Sequence, residues 1–281
     1  MNTVVDHIII AVNDLAQATA DYALMLGRAP SWQGTHPDYG SANTLFRLDN
    51  TYIELLAADG QGWAGEMVRA HIAAHGESLT AVIFGAEDID AFASHARQQG
   101  LEVTEPQAGH GVDVNTGATR RWRNVHWPRE VARGIFSFAI QHDAPEALAM
   151  AAPTGEGHMT AVDHIVVQTN DADAAKKFYG QQMGVRLALE QSKPEWGGDM
   201  LFFRCNHMTI EVIATQKHSA DEDKLWGLAL KTDDIDATHA RLKQAGVNVS
   251  DIRDGRKAGT RVCTVKSHCM DVPTLIIGLV D

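Results

Sequence analysis

A histidine and a glutamate occur together twice in this sequence at the same separation. The apolar stretch VDHIIIAVND contains His7, and a near copy, VDHIVVQTND, contains His164. Glu54 and Glu211 each follow their histidine by 47 residues. Imidazole and carboxylate groups can transfer protons, and both are common metal ligands. Chance alone rarely keeps both residue types and their spacing, so these four residues are the first candidates for chemistry.

The two pairs belong to an internal repeat. Sliding the chain along itself by 157 residues aligns residues 5–57 with residues 162–214 without a gap, and about 16 of the 53 positions are identical. A second similarity relates DIDAFASHARQQGLEV, from Asp88, to DIDATHARLKQAGVNV, from Asp234. Each half of the chain therefore contains two smaller units, which we place at residues 1–58, 77–143, 159–214 and 224–281.

Each unit has the pattern of one strand, one helix and about three further strands. In the first unit, the apolar run of residues 4–12 predicts a strand. Asp14 predicts a helix start because its carboxylate can accept hydrogen bonds from the exposed backbone amides of the first turn. Gly27 predicts the helix end because glycine readily adopts the left-handed conformation that stops a helix. The turn LDNTY, from Leu48, predicts a β-hairpin. One unit exposes a sheet face that it cannot bury alone, so two units should pair around a concave interior that can hold a ligand.

With these motifs the sequence resembles the vicinal oxygen chelate superfamily, which includes glyoxalases, bleomycin-resistance proteins and extradiol dioxygenases. The specific parts are the DHI strand, the ND helix start and the strand TYIELLA, and THPDYGSANTL before TYIELL resembles the glyoxalase-like domain branch. The resemblance implies an α+β fold of two tandem domains, residues 1–145 and 158–281. Each domain would be a half-open barrel of two paired βαβββ modules. A small-molecule substrate is expected, and the resemblance also admits a homodimer.

In this superfamily, a histidine of a unit's first strand and a glutamate of its closing strand commonly bind a divalent metal ion. The resemblance therefore implies two ligand pairs, His7 with Glu54 and His164 with Glu211. Such pairs suit Zn²⁺, Fe²⁺, Mn²⁺ or Ni²⁺, and an ion with an open coordination position can polarise vicinal oxygens of a substrate. Glu54 is also the candidate catalytic base, since glyoxalase-like chemistry moves a proton next to a polarised carbonyl.

The second and fourth units depart from this pattern. Ala81 and Gly227 stand at their histidine positions, and their closing strands, GIFSFAIQ and TLIIGLV, contain no glutamate. If adjacent units pair, which is the commoner arrangement, each concavity receives one histidine and one glutamate. The candidates for a third ligand are then His36, His110, His126 and His142 in the first half, and His207, His218 and His268 in the second. If the first and third units pair instead, all four ligands converge.

Residues that could contact a substrate are His36, Asn43, Arg121, Arg123 and His126. His36 and Asn43 belong to HPDYGSAN, which can fold over the rim of the concavity, although the same residues also suit a turn. In the second half the matching stretch is KPEWGGDM, where Lys193 and Met200 replace them. This difference favours the first half as the active one.

The segment RRWRNVHW carries the arginine candidates. Strand alternation puts Arg121 and Arg123 on one face, and Trp122, Asn124 and His126 on the other. A guanidinium in the concavity would bind a carboxylate or phosphate group of an anionic substrate. The alternative is that these arginines lie on a solvated outer face.

Three functions remain open from the sequence. The resemblance favours a metal-dependent enzyme of lyase or isomerase type that acts on a small oxygen-rich substrate. The missing ligands of the second and fourth units favour instead a metal-free protein that binds or sequesters a small molecule, as bleomycin-resistance relatives do. A ring-cleaving dioxygenase is the third alternative, but the extradiol pattern needs a histidine of the third unit with a histidine and a glutamate of the fourth, and the chain supplies only His164.

Composition limits the partners and the compartment. The net charge of −12 and the pI near 5.5 disfavour nucleic acid and anionic membranes as partners. No secretion signal and no apolar run of spanning length is apparent, so we expect a cytoplasmic protein. Cys205, Cys263 and Cys269 are odd in number and lack CxxC spacing, which indicates reduced thiols.

Overall fold

The strands of the two halves form two separate sheets. The structure is a computed structural model, which describes residues 3–193, 198–215, 218 and 221–280. The strands of the first half are β1 (Val4–Ala11), β2 (Trp32–His36), β3 (Ser41–Arg47), β4 (Tyr52–Ala58), β5 (Ser78–Gly85), β6 (Gln107–Asp113), β7 (Thr119–His126) and β8 (Phe138–His142). The strands of the second half are β9 (Met159–Thr169), β10 (Arg186–Lys193), β11 (Gly198–Cys205), β12 (Met208–Ala214), β13 (Lys224–Thr232), β14 (Arg253–Asp254), β15 (Thr260–Val265) and β16 (Thr274–Leu279).

Helices connect these strands. They are α1 (Leu15–Leu26), α2 (Trp63–His75), α3 (Ile89–Gln98), α4 (Ala172–Ala175), which continues as a π-helix (Lys176–Gln182), and α5 (Ile235–Gln244). Two short 3₁₀ turns span Arg129–Ala132 and Pro145–Ala147. The mixed α and β content in two sheets confirms the expected fold class.

The first sheet closes into a barrel, with the strand order β1-β4-β3-β2-β6-β7-β8-β5. The ring is completed because β5 pairs antiparallel with β1, and because β2 pairs with β6 at Gly34 and Thr35. The second sheet has the order β10-β11-β12-β9-β13-β16-β15-β14 and stays open among the described residues. The half-open shape expected for both domains therefore holds for the second sheet, whereas the first is closed.

Adjacent units share a sheet in both halves. The first strands of units one and two pair antiparallel as β1 with β5, and those of units three and four pair as β9 with β13. The alternative in which the first and third units form one concavity is therefore wrong. It fails because each first strand is already paired on both edges, with β4 and β5 around β1 and with β12 and β13 around β9.

Helix termini follow the sequence signals. Asp14 accepts a hydrogen bond from the backbone amide of Gln17 at 3.0 Å, and Asp88, Asp171 and Asp234 cap α3, α4 and α5 in the same way. Gly27 ends α1 with φ of 66°, a left-handed conformation that favours glycine. These caps fix where each helix starts relative to its strand.

One helix, α2, lies outside the predicted units. Its buried Val68 packs with Ile9, Leu56 and Ile83, which point into the barrel, so the helix covers part of the interior. The corresponding connection of the second half, residues 215–223, is shorter than the 13 residues of α2. The first barrel is therefore covered by an element for which the second sheet has no equivalent length of chain.

A continuous apolar core joins the outer faces of the two sheets and their helices. Phe84 of β5 and Trp127 meet Phe178 of the second half, each with ring centroids 6.3 Å apart. The three cysteines are free and buried, and burial raises the pKa of each thiol to about 11. No helix among the described residues is long and apolar enough to cross a bilayer.

Candidate functional site

The closed barrel contains a cleft whose empty space, including the part open to solvent, is about 700 Å³. Seven aromatic side chains line it: Trp32, Tyr39, Tyr52, Trp63, Trp122, Phe136 and Phe138. Among them stand polar side chains, which are His7, His36, Ser41, Asn43, Glu54, Arg120, Asn124 and His142. A mostly aromatic wall with a few convergent polar groups is typical of a small-molecule site.

Strand periodicity places these side chains inside the barrel. Residues two apart on a strand share a face, so His7 and Ile9 of β1 point inward together. In the parallel pairing of β1 with β4, His7 stands opposite Tyr52 and Ile9 opposite Glu54. The same alternation brings Asn43 of β3 inward. The first unit therefore presents His7, Asn43 and Glu54 to one wall of the cleft.

His7 and Glu54 contact each other directly at this wall. Nε2 of His7 lies 3.2 Å from Oε2 of Glu54, and their side chains are 5% and 8% exposed. Burial lowers the pKa of His7, but the hydrogen bonds to Asp6 and Glu54 outweigh it and raise that pKa to about 9. Burial raises the pKa of Glu54, but the hydrogen bond and positive charge of His7 outweigh it, so the pKa of Glu54 lies below its usual value.

Asp6 connects His7 to a second histidine. Its Oδ1 lies 2.6 Å from Nδ1 of His7 and 3.1 Å from Nε2 of His142. Burial raises the pKa of Asp6, but the two histidines outweigh it and hold that pKa far below its usual range. The ring of Tyr52 stacks on the imidazole of His7, with centroids 4.5 Å apart. The sequence reasoning did not assign a role to Asp6, although Asp163 repeats it in the second half.

Both rim candidates of the first half lie in the cleft. Nδ2 of Asn43 donates to Oε1 of Glu54 at 2.7 Å and lies 3.4 Å from Nε2 of His36. Nδ1 of His36 is 2.9 Å from Oγ of Ser41, and burial lowers the pKa of His36. His36 thus presents a neutral imidazole next to the amide that holds Glu54.

His126 and His110 are further from this arrangement. The His126 ring packs against Phe138 and Trp63, with centroids 4.8 and 5.8 Å away, and it is not among the residues that line the cleft. Nδ1 of His110 lies 3.7 Å from a carboxylate oxygen of Asp38. The expectation that His126 contacts a substrate therefore stays a prediction: in this structure its ring packs against two aromatic residues of the cleft but does not itself line it.

The arginines of β7 are placed differently from the expectation. Arg123 forms a two-pronged ion pair with Asp90 at 2.7 and 2.9 Å on the outer face, and Arg121 shares that face. The inward positions of the strand are Arg120, Trp122 and Asn124. The prediction of pocket contacts from Arg121 and Arg123 is corrected because Trp122 and Asn124 turn inward, which leaves their neighbours outside.

The second half keeps the pair but in a more open setting. Nε2 of His164 lies 3.5 Å from Oε2 of Glu211, and Nδ1 lies 2.9 Å from Asp163. The side chains of His164 and Glu211 are 19% and 15% exposed. Burial raises the pKa of Glu211, whereas the pKa of Glu54 is lowered. Of the stretch KPEWGGDM, residues 194–197 lie outside the described residues. The two His–Glu pairs therefore belong to different sheets and do not form one four-ligand site.

The other histidines of the second half have contacts elsewhere. His207 lies exposed in the turn between β11 and β12, with φ of 64°. Nε2 of His218 is 2.6 Å from the carbonyl oxygen of Glu222, and Nε2 of His268 is 3.9 Å from Asp21. None of these three histidines, all within the described residues, is therefore in contact with His164 or Glu211 as a third ligand.

Three residues that line the cleft each have a buried polar atom without a partner among the described residues. These atoms are Oδ1 of Asn43, Oδ1 of Asn124 and Nδ1 of His142. Leaving such an atom unpaired costs about 1–3 kcal/mol, so it marks a place where a bound group can be stabilised. The unpaired atoms stand on β3, β7 and β8 and therefore surround the cleft.

The donor set next to Glu54 suits a divalent ion. Asp6 holds Nδ1 of His7, which is the outer hydrogen bond that typically directs Nε2 toward a metal. Oε2 of Glu54 and the unpaired Oδ1 of Asn43 are further oxygen donors on the same wall. Within the described part of the chain, no three His, Cys, Asp or Glu residues form a complete metal cluster. The wall therefore offers two or three donors of suitable chemistry without a complete set of protein ligands.

Comparisons with known proteins agree with this architecture. The model of the glyoxalase-like domain family matches residues 5–160, and that of the glyoxalase/bleomycin resistance protein/dioxygenase superfamily matches residues 161–270. None of the curated proteins compared matches the sequence.

Several solved structures share the fold at low identity. A hypothetical protein from Staphylococcus aureus is 11% identical with a TM-score of 0.69, over 99% of this chain and 100% of that one. A mutant of 4-hydroxymandelate synthase from Streptomyces coelicolor is 16% identical with a TM-score of 0.69, over 98% and 92%. A xylose isomerase-like TIM barrel/4-hydroxyphenylpyruvate dioxygenase fusion protein is 15% identical with a TM-score of 0.63, over 98% and 48%. With a family model that spans more than half of its residues and a fold shared along its length, the chain belongs to the glyoxalase-like domain family of the vicinal oxygen chelate superfamily.

Proposed function

We propose that the first barrel is the active site of a metal-dependent enzyme that acts on a small oxygen-rich molecule in lyase or isomerase chemistry. The observation that carries this proposal is the contact of 3.2 Å between the buried Nε2 of His7 and Oε2 of Glu54 at the wall of an aromatic cleft. His7 and Glu54 would hold the ion, with Oδ1 of Asn43 or Nε2 of His36 as a further donor.

The surrounding residues support this assignment. Asp6 accepts a hydrogen bond from Nδ1 of His7 and so leaves Nε2 as the nitrogen that faces Glu54. Asn43 donates a hydrogen bond to Oε1 of Glu54, and the other oxygen, Oε2, is directed toward Nε2 of His7. Such outer hydrogen bonds orient metal ligands and commonly change metal affinity 10–100-fold when removed.

The metal ion, Glu54 and the aromatic wall would each have a separate role in such a reaction. A divalent ion, when bound, supplies a Lewis acid that polarises neighbouring oxygens of the substrate. Glu54 would accept a proton from the carbon next to such an oxygen and return it. The aromatic wall would reduce contact with water at the buried His7 and Glu54, which would strengthen the electrostatic contacts there.

A metal-free binding protein is the second candidate. It is favoured by the charge pairing of Asp6, His7 and Glu54, which satisfies one imidazole and two carboxylates without an added ion. The aromatic cleft alone would then bind a small molecule through apolar contact. In this alternative, His7 and Glu54 fix the wall of the pocket rather than hold a metal.

A ring-cleaving dioxygenase has less support from the residues. The fourth unit would have to supply a histidine and a glutamate, but Gly227 stands at the first position and β16 has the sequence TLIIGL. The similarity to dioxygenase structures is a similarity of fold at 15–16% identity.

The proposal is tested with acetohydroxamate, a small chelator with two neighbouring oxygens. Trp32, Trp63 and Trp122 line the cleft, so tryptophan fluorescence reports binding there. We expect acetohydroxamate to change the fluorescence of the Zn²⁺- or Ni²⁺-loaded protein and not that of chelator-treated protein. The effect should disappear in His7→Ala and Glu54→Ala but persist in the matched variants His164→Ala and Glu211→Ala. Binding that is independent of metal would favour the second candidate and contradict the enzyme.

A further inference from the structure

Arg120 is a cation of the cleft that has no carboxylate partner. Among the described residues, no acidic side chain forms an ion pair with its guanidinium, and none forms a hydrogen bond with it. Two other arginines of the first half differ, because Arg123 is paired with Asp90 and Arg133 with Asp223. A half-buried guanidinium that points into a pocket without a counter-ion is ready to bind an anion.

Aromatic faces hold this guanidinium in place. Its central carbon lies 5.6 Å from the ring centroid of Trp32 and 5.8 Å from that of Tyr52. Contacts of a cation with ring faces at this distance are favourable and position the charge without neutralising it. Arg120 is therefore anchored at the aromatic wall, and because its N–H groups form no hydrogen bond within the described part of the chain, they can donate to a ligand.

Arg120 and Glu54 belong to strands on opposite sides of the barrel, because β7 stands four places from β4 in the ring of eight strands. The guanidinium reaches across the cleft to Tyr52, whose ring stacks on His7. Asn124, four residues along β7, points inward on the same face as Arg120, and its buried Oδ1 has no partner among the described residues. Trp122 lies between them on that face. The β7 wall thus carries a cation, an aromatic ring and an unpaired amide in sequence.

From this arrangement we propose that the ligand of the first barrel is a planar, ring-containing carboxylate, bound by Arg120 at the β7 wall with its ring against Trp32 and Trp122. This inference deepens the proposed function and rests on it, because the far end of the ligand would reach the His7 and Glu54 wall. A guanidinium recognises a carboxylate through two parallel hydrogen bonds, which a neutral group of the same shape cannot match.

Binding of 2-naphthoate and of its neutral isostere 2-naphthamide to the full-length protein tests the proposal by calorimetry. Hydrogen bonds to a charged partner are strong enough that we expect naphthoate to bind about tenfold to a hundredfold more tightly than naphthamide. In Arg120→Met this preference should vanish, and in Arg120→Lys it should fall to an intermediate value. Arg121→Met is the matched control, since Arg121 lies next in the chain but on the outer face, and it should keep the wild-type preference.

The outcomes distinguish a failure of the Arg120 carboxylate site from a failure of the proposed metal site. Equal binding of naphthoate and naphthamide, or an equal loss in Arg120→Met and Arg121→Met, overturns the role of Arg120 while the cleft stands as a binding site. Failure of both probes to bind wild-type protein overturns this inference. If acetohydroxamate nevertheless binds the metal-loaded protein, the proposed metal site stands, and if it also fails to bind, the proposed function fails as well.

Discussion

Oε2 of Glu54 lies 3.2 Å from Nε2 of His7, across neighbouring parallel strands of the closed barrel. Nε2 of His7 can carry a proton that is shared with Glu54, or it would donate its lone pair to a divalent ion in the proposed site. In the metal-free protein, the two carboxylates of Asp6 and Glu54 stabilise the proton on His7. A metal ion in the proposed site would therefore compete with this proton, which would link metal affinity to pH.

The first prediction concerns stability in the metal-free protein. The pKa of His7 is about 9 when folded, above its ordinary value of 6.5, so protonated His7 stabilises the fold. This contribution is complete below pH 6.5 and is lost as pH rises through 9; its size is of order 3 kcal/mol. Urea unfolding of chelator-treated protein should show this loss in the wild type but not in His7→Gln. The exposed His75→Gln serves as the control and should follow the wild type. Parallel curves for the wild type and His7→Gln would contradict the assignment.

Asn43 provides a test of the outer hydrogen bond to Glu54. Asn43→Met introduces the residue that the second half has at the matching position, Met200, and removes the donor 2.7 Å from Oε1 of Glu54. We expect Zn²⁺ affinity, measured by competition with a chromophoric chelator, to fall about 10–100-fold. Asn124→Met changes another buried asparagine of the cleft, on the opposite wall, and should have little effect on Zn²⁺. A similar loss in both variants would show that general packing, rather than the contact with Glu54, controls affinity.

The contacts of Arg241 predict that this residue stabilises the packing of the two halves against each other. From α5 it donates to the carbonyl oxygens of Leu24, Met25 and Gly157, and the first two end α1. The last carbonyls of a helix need donors, and hydrogen bonds from a charged group are strong, so Arg241→Met should lower the free energy of unfolding by about 3 kcal/mol.

The control for Arg241 is Arg261→Met. Arg261 pairs with the exposed Asp236, and exposed ion pairs contribute little. Denaturant unfolding should show no measurable change for this variant. An equal effect of the two substitutions would mean that Arg241 does not hold the end of α1.

The repeat explains why the pairing of units was predictable, whereas α2 was not. Identical positions in two copies reveal the βαβββ pattern, and short connections favour the pairing of adjacent units, which the structure confirms for β1 with β5 and β9 with β13. α2 has no copy in the second half, because residues 215–223 are too few to contain it. Comparison of the halves therefore could not reveal this helix, and only its own apolar spacing, Ala64, Met67, Val68 and Ile72, signalled it.

The site was partly predictable from residue types alone. His7 and Glu54 stand out through their repeated spacing, and Asp6 carries the same signal through Asp163. The sequence did not determine which face of β7 points into the barrel. RRWRNVHW has polar residues on both faces, so the hydrophobic contrast that normally selects the inner face is weak. Only the pairing of β7 with β6 and β8 shows that Trp122 and Asn124 point inward, and Arg120 with them.

Metal content tests the central claim most directly. The protein should be purified without chelator and without an affinity metal, then analysed for bound transition metals as the wild type and as four variants. The account predicts near-stoichiometric metal in the wild type, in His164→Ala and in Glu211→Ala, and none in His7→Ala or Glu54→Ala. Metal that persists without His7 and Glu54, or a wild type that takes up no divalent metal even when it is supplied, would contradict the account.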